Sequence, residues 1–363
     1  MVKNSCRWAI RRQASGSKVK KSFDLRFFTG GVKRWVTRNE AQVHICLDCQ
    51  KLFIPYKYRH QKLFGHNLMA WAMQQHVCTR ITFEHIEMTA RDCFNLPISF
   101  QDIQRFKGCL ADYYATTYRR LVSKITSGKL LHLDETAFAL KQDAGYVWVF
   151  TSMEDVVYVY RPNREAAFLH SFLKAFHGVL ITDFYTGYDS LKCVQQKCLV
   201  HLLRDVNDDL LKNPFDQDLS KIGLMFGNIL RDIVGTIDQF GLKSRWLKRH
   251  KAPVEKFFES ICALQLGSET AEALRRRMLK NRTKLFTFLD YDGVPWNNNN
   301  AEHAIKPVAK YRRLVKGRVT EAGLTDYLVL LSIQQTCDYK GISFLEFLLS
   351  KEKDIDKFFE RHA

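Results

Sequence analysis

The rhythm of apolar and polar positions changes several times along the chain, and each change marks a region. The first 40 residues are polar and basic around a break at Gly30 and Gly31. That pattern predicts a poorly ordered arm with a strand or two. From 66 to 127 apolar residues recur at helical spacing: Leu68, Ala72 and Met73 form one stripe, and Phe83, Ile86 and Ala90 another that opens after Thr82 as N-cap. Asn95 to Pro97 ends that helix, and Ser99 caps a following one with Ile103 and Phe106 inward. Two short helices about such a turn suggest a helix-turn-helix, with Gln101, Gln104, Arg105 and Lys107 set to face DNA. A plain helical bundle fits the same pattern.

After Gly128 the rhythm turns to strands. Leu130 to Leu133 runs into Asp134. Tyr146 to Phe150 and Val156 to Tyr160 are dense in β-formers and split by a polar turn from Ser152 to Asp155. A helix is expected over 164–176, then short strands at Gly178 to Thr182, ending at Asp183, and at Lys197 to Val200. Three strands, a helix and two strands with acids at strand ends predict an α/β fold, a ribonuclease-H-like core. Residues 203–288 lack β-runs and read as a helical insertion. Asn297 to Asn300 would cap a helix carrying Glu302, and the tail holds one helix near 322–337 and one near 343–360.

Composition narrows the partners. The 363 residues are 46% hydrophobic, enough for a sizeable core, yet no run of about 20 uncharged apolar residues suggests a membrane span. No apolar stretch follows the basic N-terminus, so no signal peptide is expected. The formal net charge of +18 favours a polyanion, above all double-stranded DNA. The charge is clustered: residues 1 to 40 hold 11 Lys/Arg against Asp24 and Glu40, and further basic runs lie at 243–251, 275–284 and 306–318. Ten scattered cysteines predict reduced thiols in a cytoplasmic setting. Cys46 and Cys49 form half of a possible Zn²⁺ knuckle. Cys6, His44, His60, His66, His76 and Cys78 are the available additional ligands, and none makes a second close pair.

Three acids carry the chemical signal. Asp134 and Asp183 are placed at strand ends and Glu302 in the first turn of a helix. Cutting and joining a phosphodiester requires an activated attacking oxygen, a stabilised leaving oxygen and neutralised phosphate charge. Two divalent ions about 4 Å apart provide all three and need clustered hard oxygen ligands. Taken singly, each acid is equally well a turn residue or a helix-dipole partner.

The words around these acids add a resemblance. His132 to Phe138 with Tyr146 to Phe150, Gly178 to Tyr188 with Cys198 to Asp205, and Val294 to Pro307 resemble the IS66-type family of bacterial insertion-sequence transposases, which are DDE enzymes. The spacing agrees (302 − 183 = 119 residues). The resemblance, over roughly 45 to 350, implies that Asp134, Asp183 and Glu302 bind Mg²⁺ or Mn²⁺ and catalyse cleavage and strand transfer at element ends. It also implies a homo-oligomer on DNA and a bacterial, nucleoid-associated location. The chain departs from the family in showing one Cys pair where two are usual, and amides before the Glu where an Asp often stands. Cys198 and His201, two residues between them, offer a metal-ligand, phosphate-contacting or structural pair near the second acid. Lys306, Arg312 and Arg313 are phosphate-contact candidates, as is Arg204; Trp296 either stacks on a base or packs the helix start. The expected organisation is a basic arm with a possible zinc knuckle (1–60), a helical DNA-binding region (61–128), the first part of the core (129–202), a helical insertion (203–290) and the core's completion with C-terminal helices (291–363). A non-catalytic DNA-binding remnant or repressor shares the charge, and a hydrolytic nuclease shares the fold.

Overall fold

The computed structural model describes residues 12–47 and 49–362; Cys6 lies outside them. The chain divides into two compact units, 1–113 with 342–363, and 114–341. The C-terminal residues 342–363, read from sequence with the Glu-bearing segment, therefore group with the N-terminal unit.

The first unit opens with β1 (Arg12–Phe28) and β2 (Gly31–Cys46), paired antiparallel from Arg12 opposite Cys46 to Phe28 opposite Gly31. The strand or two expected in the basic arm are present, as a long ordered ribbon where poor order was expected. Its strand-forming residues were hidden among the charges, and Gly31 at φ +135° permits the tight turn. β3 (Leu52–Phe53) adds two residues beside His44 and Ile45. Four helices follow: α1 (Tyr56–Arg59), α2 (His66–Val77), α3 (Phe83–Phe94) and α4 (Phe100–Tyr113). The Asp24 carboxylate on β1 accepts the Leu68 N–H of α2's first turn at 2.8 Å, so the ribbon caps the helix. Gly65 is small for this reason, since a Cβ there would lie 2.1 Å from Asp24 Cγ. Thr82 caps α3, Asn95 ends it in the left-handed conformation, and Ser99 bonds the Asp102 N–H at α4, as the sequence suggested. Gln101, Gln104 and Arg105 are not buried, but Lys107 is buried against the Phe83 ring and does not face outward. The helix expected near 343–360 is two, Phe344–Ser350 and Ile355–His362, broken at Lys351, whose φ is +61°. The first packs on α2, with His66 Nε2 2.7 Å from the Leu348 carbonyl.

The second unit begins with α5 (Ala115–Thr126) and a five-stranded sheet. Its strands are β4 (Leu130–Ala139), β5 (Ala144–Thr151), β6 (Val156–Arg161), β7 (Val179–Thr182) and β8 (Val194–Lys197), in the order β6-β5-β4-β7-β8. β4, β5 and β6 pair antiparallel; β7 and β8 run parallel to β4. Val147 to Phe150 and Val156 to Tyr158 are almost wholly buried, which is why these stretches read as continuous β-formers rather than alternating ones. α6 (Ala167–Phe172) covers Phe150 and Trp148 and is shorter than the helix expected over 164–176.

The insertion is helical, as expected: α7 (Leu199–Lys212), α8 (Gln217–Phe240), α9 (Ser244–Leu247), α10 (Lys251–Ala263), α11 (Glu269–Lys280) and α12 (Arg282–Leu285). Phe226, Phe257, Phe258, Phe286 and Phe288 make its core. α13 (Asn299–Val315) and α14 (Glu321–Tyr339) return to the sheet, where Ser332 and Thr336 hydroxyls accept the Tyr158 and Val156 N–H groups of the edge strand β6. Among the described residues no helix is long and apolar enough to cross a membrane.

Candidate active site

The sheet's change of pairing builds the site. β4 runs parallel to β7 only as far as His132 opposite Ile181, and then continues against β5 to Ala139. Asp134 therefore lies inside β4, two residues past the last parallel pair, and not at a strand end as the sequence suggested. Asp183 directly follows β7 and accepts the Tyr185 N–H at 2.9 Å. β8 stops at Lys197, short of the strand expected to Val200, because Cys198 is the N-cap of α7, which begins at Leu199.

Glu302 comes from the first turn of α13. The asparagines before it do more than cap. Asn298 is fully buried and its side chain makes no cap bond. Instead its Nδ2–H donates to the Leu133 carbonyl at 3.0 Å and its Oδ1 lies 3.1 Å from His132 Nδ1. Asn300 donates to the Ser152 carbonyl at 2.5 Å and accepts from the Tyr339 hydroxyl at 2.6 Å. These amides fasten the start of α13 to the sheet that bears Asp134.

The Asp134 carboxyl feels the charges of the other acids. Burial pushes the Asp134 carboxyl up to about 7, and the carboxylates of Glu135, Asp183 and Glu302 push the same way against one Glu135 N–H bond. Glu302 Oε1 is buried with no hydrogen-bond partner among the described residues. His201 Nε2 stands 3.7 Å from that oxygen, and Cys198, His201 and Glu302 offer ligand atoms within 4.8 Å of one another. They form the one group of three possible metal-ligating residues among the described residues, and of the expected metal ligands it includes Glu302 but not Asp134, Asp183, Cys46 or Cys49. Cys198 is buried and accepts the Asn298 N–H at 3.1 Å; burial pushes its thiol up.

Other residues flagged by the sequence separate. Arg312 donates to the Thr136 hydroxyl and the Ala137 carbonyl, so it braces β4. Trp296 packs against the insertion core. Lys306 stands beside His303 at 3.3 Å on the outer side of α13, and neither Arg313 nor Arg204 is buried.

Two charged residues escaped the sequence reading. Glu135, whose side chain is 2% exposed, is held by Arg164 at 2.6 Å and by the Tyr188 hydroxyl. Lys197 is buried beside Asp183's strand, bonded to the Thr182 hydroxyl at 3.1 Å and facing Asp189 at 3.6 Å; burial brings its ammonium down to about 8. A doubled acid in β4 and a lysine closing a short buried strand were the available signals.

Comparison with known proteins gives the family of the chain. A family profile described as "Transposase IS66 family" matches residues 61–326, well over half of the chain. The chain belongs to the IS66 family of transposases. It is also similar to the uncharacterized protein y4qI of Sinorhizobium fredii (strain NBRC 101917 / NGR234), 24% identical over 271 residues, covering 66% of this chain and 49% of that protein. The chain thus spans about half the length of that curated relative.

Proposed function

We propose that this protein is a DNA transposase in which Asp134, Asp183 and Glu302 hold divalent cations, Mg²⁺ or Mn²⁺, and cut and join DNA at the ends of a bacterial insertion sequence. The observation that carries the reading is the electrostatic crowding at Asp134, to which Asp183 and Glu302 both contribute. The sheet order, with three antiparallel strands and two parallel ones, supports a ribonuclease-H-like core.

The donor set fits such ions: three carboxylates, hard oxygen ligands, with one Glu302 oxygen buried and unpartnered among the described residues. Divalent cations bound there supply Lewis-acid activation of the attacking oxygen and neutralise the phosphate. The protein's part is positioning. Asn298 and Asn300 fix the helix that presents Glu302. His201 stands against the Glu302 carboxylate and sets its direction. Arg164 and Tyr188 hold Glu135, keeping its negative charge on its own partners. Water hydrolyses the phosphodiester at the element end, and the freed 3′-hydroxyl then attacks target DNA in line on the same acids. Bringing two ends together needs at least two copies of the chain on DNA.

The test is cleavage and joining of duplexes carrying the element ends. The parent should nick only with divalent metal and form joined product, while Asp134→Ala should bind DNA and not cut. Cutting by that variant would defeat the assignment. Cutting without joining would mark a hydrolytic nuclease, and binding without cutting in the parent a DNA-binding repressor.

A further inference from the structure

Exposed like charges, such as Arg26 facing Lys33 on the ribbon, are satisfied by water. Buried polar atoms without a partner are not, and each costs free energy until something binds it. Two such atoms belong to adjacent side chains in the second unit. His201 Nδ1 and Glu302 Oε1 are both buried and unpartnered among the described residues, and His201 Nε2 stands 3.7 Å from that Glu302 oxygen.

The sequence builds this place from two helix starts. Cys198 is the N-cap of α7 and His201 follows three residues later, so both look out from one turn. Glu302 lies in the first turn of α13. The Leu199 N–H donates to the Trp296 carbonyl at 2.9 Å and the Asn298 N–H to the Cys198 sulfur at 3.1 Å, which fastens the two starts to each other. The backbone N–H groups of His201 and Val200 also turn towards that sulfur. One ligand atom from each of Cys198, His201 and Glu302 lies within 4.8 Å of the other two.

We propose that Cys198, His201 and Glu302 form a Zn²⁺ site, different in kind from the magnesium or manganese site proposed at the acids. Sulfur and imidazole suit zinc, whereas Mg²⁺ takes six oxygens and disfavours a thiolate. With bonds of about 2.0–2.3 Å, donor atoms around a tetrahedral zinc lie roughly 3.3–3.6 Å apart. The His201–Glu302 spacing is already close to this, and the widest pair needs to close by roughly 1 Å. Both of these side chains are partly exposed, so the fourth position opens to water. As the Zn–S bond forms, the thiol proton passes to solvent, and the Asn298 N–H stays as a donor to the thiolate. Zinc takes the Glu302 oxygen that a catalytic cation would use, so the two ions draw on one carboxylate. The site needs neither Asp134 nor Asp183.

The test is a titration of the full chain with Co²⁺, which occupies zinc sites and reports a thiolate ligand by a sulfur-to-metal absorption band in the near ultraviolet. The parent should show the band and lose it when Zn²⁺ is added. C198S should abolish it. H201Q, which changes a partly exposed ring and leaves the thiol in place, should melt like the parent and bind Co²⁺ at least about tenfold more weakly, the least that disturbing even an outer partner of a ligand costs. C46S/C49S and Asp134→Ala should each keep the band. No band in the parent, or a band untouched by both C198S and H201Q, would overturn the site. Loss of the band in C46S/C49S would assign the cobalt to the N-terminal pair, and loss in Asp134→Ala would merge the site with the acids; either result overturns the proposal. Cleavage by Asp134→Ala, by contrast, would defeat the catalytic reading and leave this one standing.

Discussion

The molecule crowds like charge in two places and handles it in opposite ways. On the β1–β2 ribbon the crowded groups are cations in water, where screening keeps repulsion small. Around Asp134 they are carboxylates out of water, where repulsion and lost solvation act together and move a proton equilibrium up to about 7. Both arrangements leave charge that a partner from outside can neutralise. The exposed one suits a large, sliding polyanion; the buried one suits small cations held in fixed geometry. Breaking each arrangement should therefore give very different magnitudes.

The largest effect is expected at the acids. Asp134→Asn keeps the shape and removes the charge, and should lower metal-dependent cleavage by about 10³-fold or more, as losing one member of a cooperating catalytic group does. The measurement is single-turnover cleavage of an end-bearing duplex; residual activity within about tenfold of the parent would mean that Asp134 is not a ligand. Next comes His201→Ala, which should shift the metal concentration for half-maximal cleavage by about 10- to 100-fold, the usual consequence of disturbing a group that orients a ligand. A fall in rate with no change in metal requirement would place His201 on the phosphate instead.

The same contrast appears in stability. For metal-free protein the folded state holds the Asp134 proton more tightly than the unfolded chain does. Its contribution is therefore full below the ordinary aspartate range, and is lost as pH rises from that range to about 7. Chemical unfolding at a series of pH values should show the parent losing stability across that window. Asp134→Asn should show a flatter profile and be the more stable protein near pH 8, by on the order of 1–3 kcal/mol after allowing for relaxation. His76 provides the opposite sign in the N-terminal unit. Burial holds its imidazole down to about 4, so its contribution is present above the ordinary histidine range and falls as pH drops from there towards 4. Divalent metal should restore the parent's stability at high pH and leave the His76 region of the profile unchanged.

How far these regions were legible in sequence follows from the same physics. The core strands were readable because both faces are buried, so Val147 to Phe150 and Val156 to Tyr160 show an unbroken β-forming run. The family was readable through the words around the acids. A strand or two were expected in the basic arm, but the length and order of the ribbon were not, because its strands are stabilised by pairing with each other while most of their side chains face water, leaving little hydrophobic rhythm to detect. Asp134's place inside β4 was missed for a related reason. The strand passes from parallel to antiparallel partners there, and nothing in a linear pattern marks a change of neighbour. Lys107 was misplaced because a long aliphatic stem over Phe83 can be buried while its spacing still reads as a polar face.

Asn298 tests whether the scaffold between these extremes is structural or catalytic. Its amide links His132 and Leu133 of β4 to the start of α13, so Asn298→Ala strands a buried carbonyl and a ring nitrogen. The variant should lose about 1–3 kcal/mol of stability from those unsatisfied groups. Cleavage should fall further than stability explains, because Glu302 sits one helical turn away and loses its fixed approach to Asp134. Asn298→Asp, which can still accept but cannot donate to the Leu133 carbonyl, should lie between. If cleavage by Asn298→Ala recovers fully at a temperature where the variant is completely folded, the amide only holds the helix in place and the position of Glu302 tolerates slack.

The smallest effect is expected on the ribbon. Replacing Arg26 and Lys33 by glutamine should change folded stability by only a few tenths of a kcal/mol, in the stabilising direction, because the charges lie in water and each already leans on a ring, Arg26 on Trp35 and Lys33 on Phe28. The gain should shrink as salt rises from about 0.05 to about 0.5 M, since the Debye length falls towards the separation of the two charges. Thermal melting at several salt concentrations measures it. A clear loss of stability instead would mean that the stacking of the cations on the rings outweighs their repulsion, and that the ribbon keeps its charges for its own structure rather than for a partner.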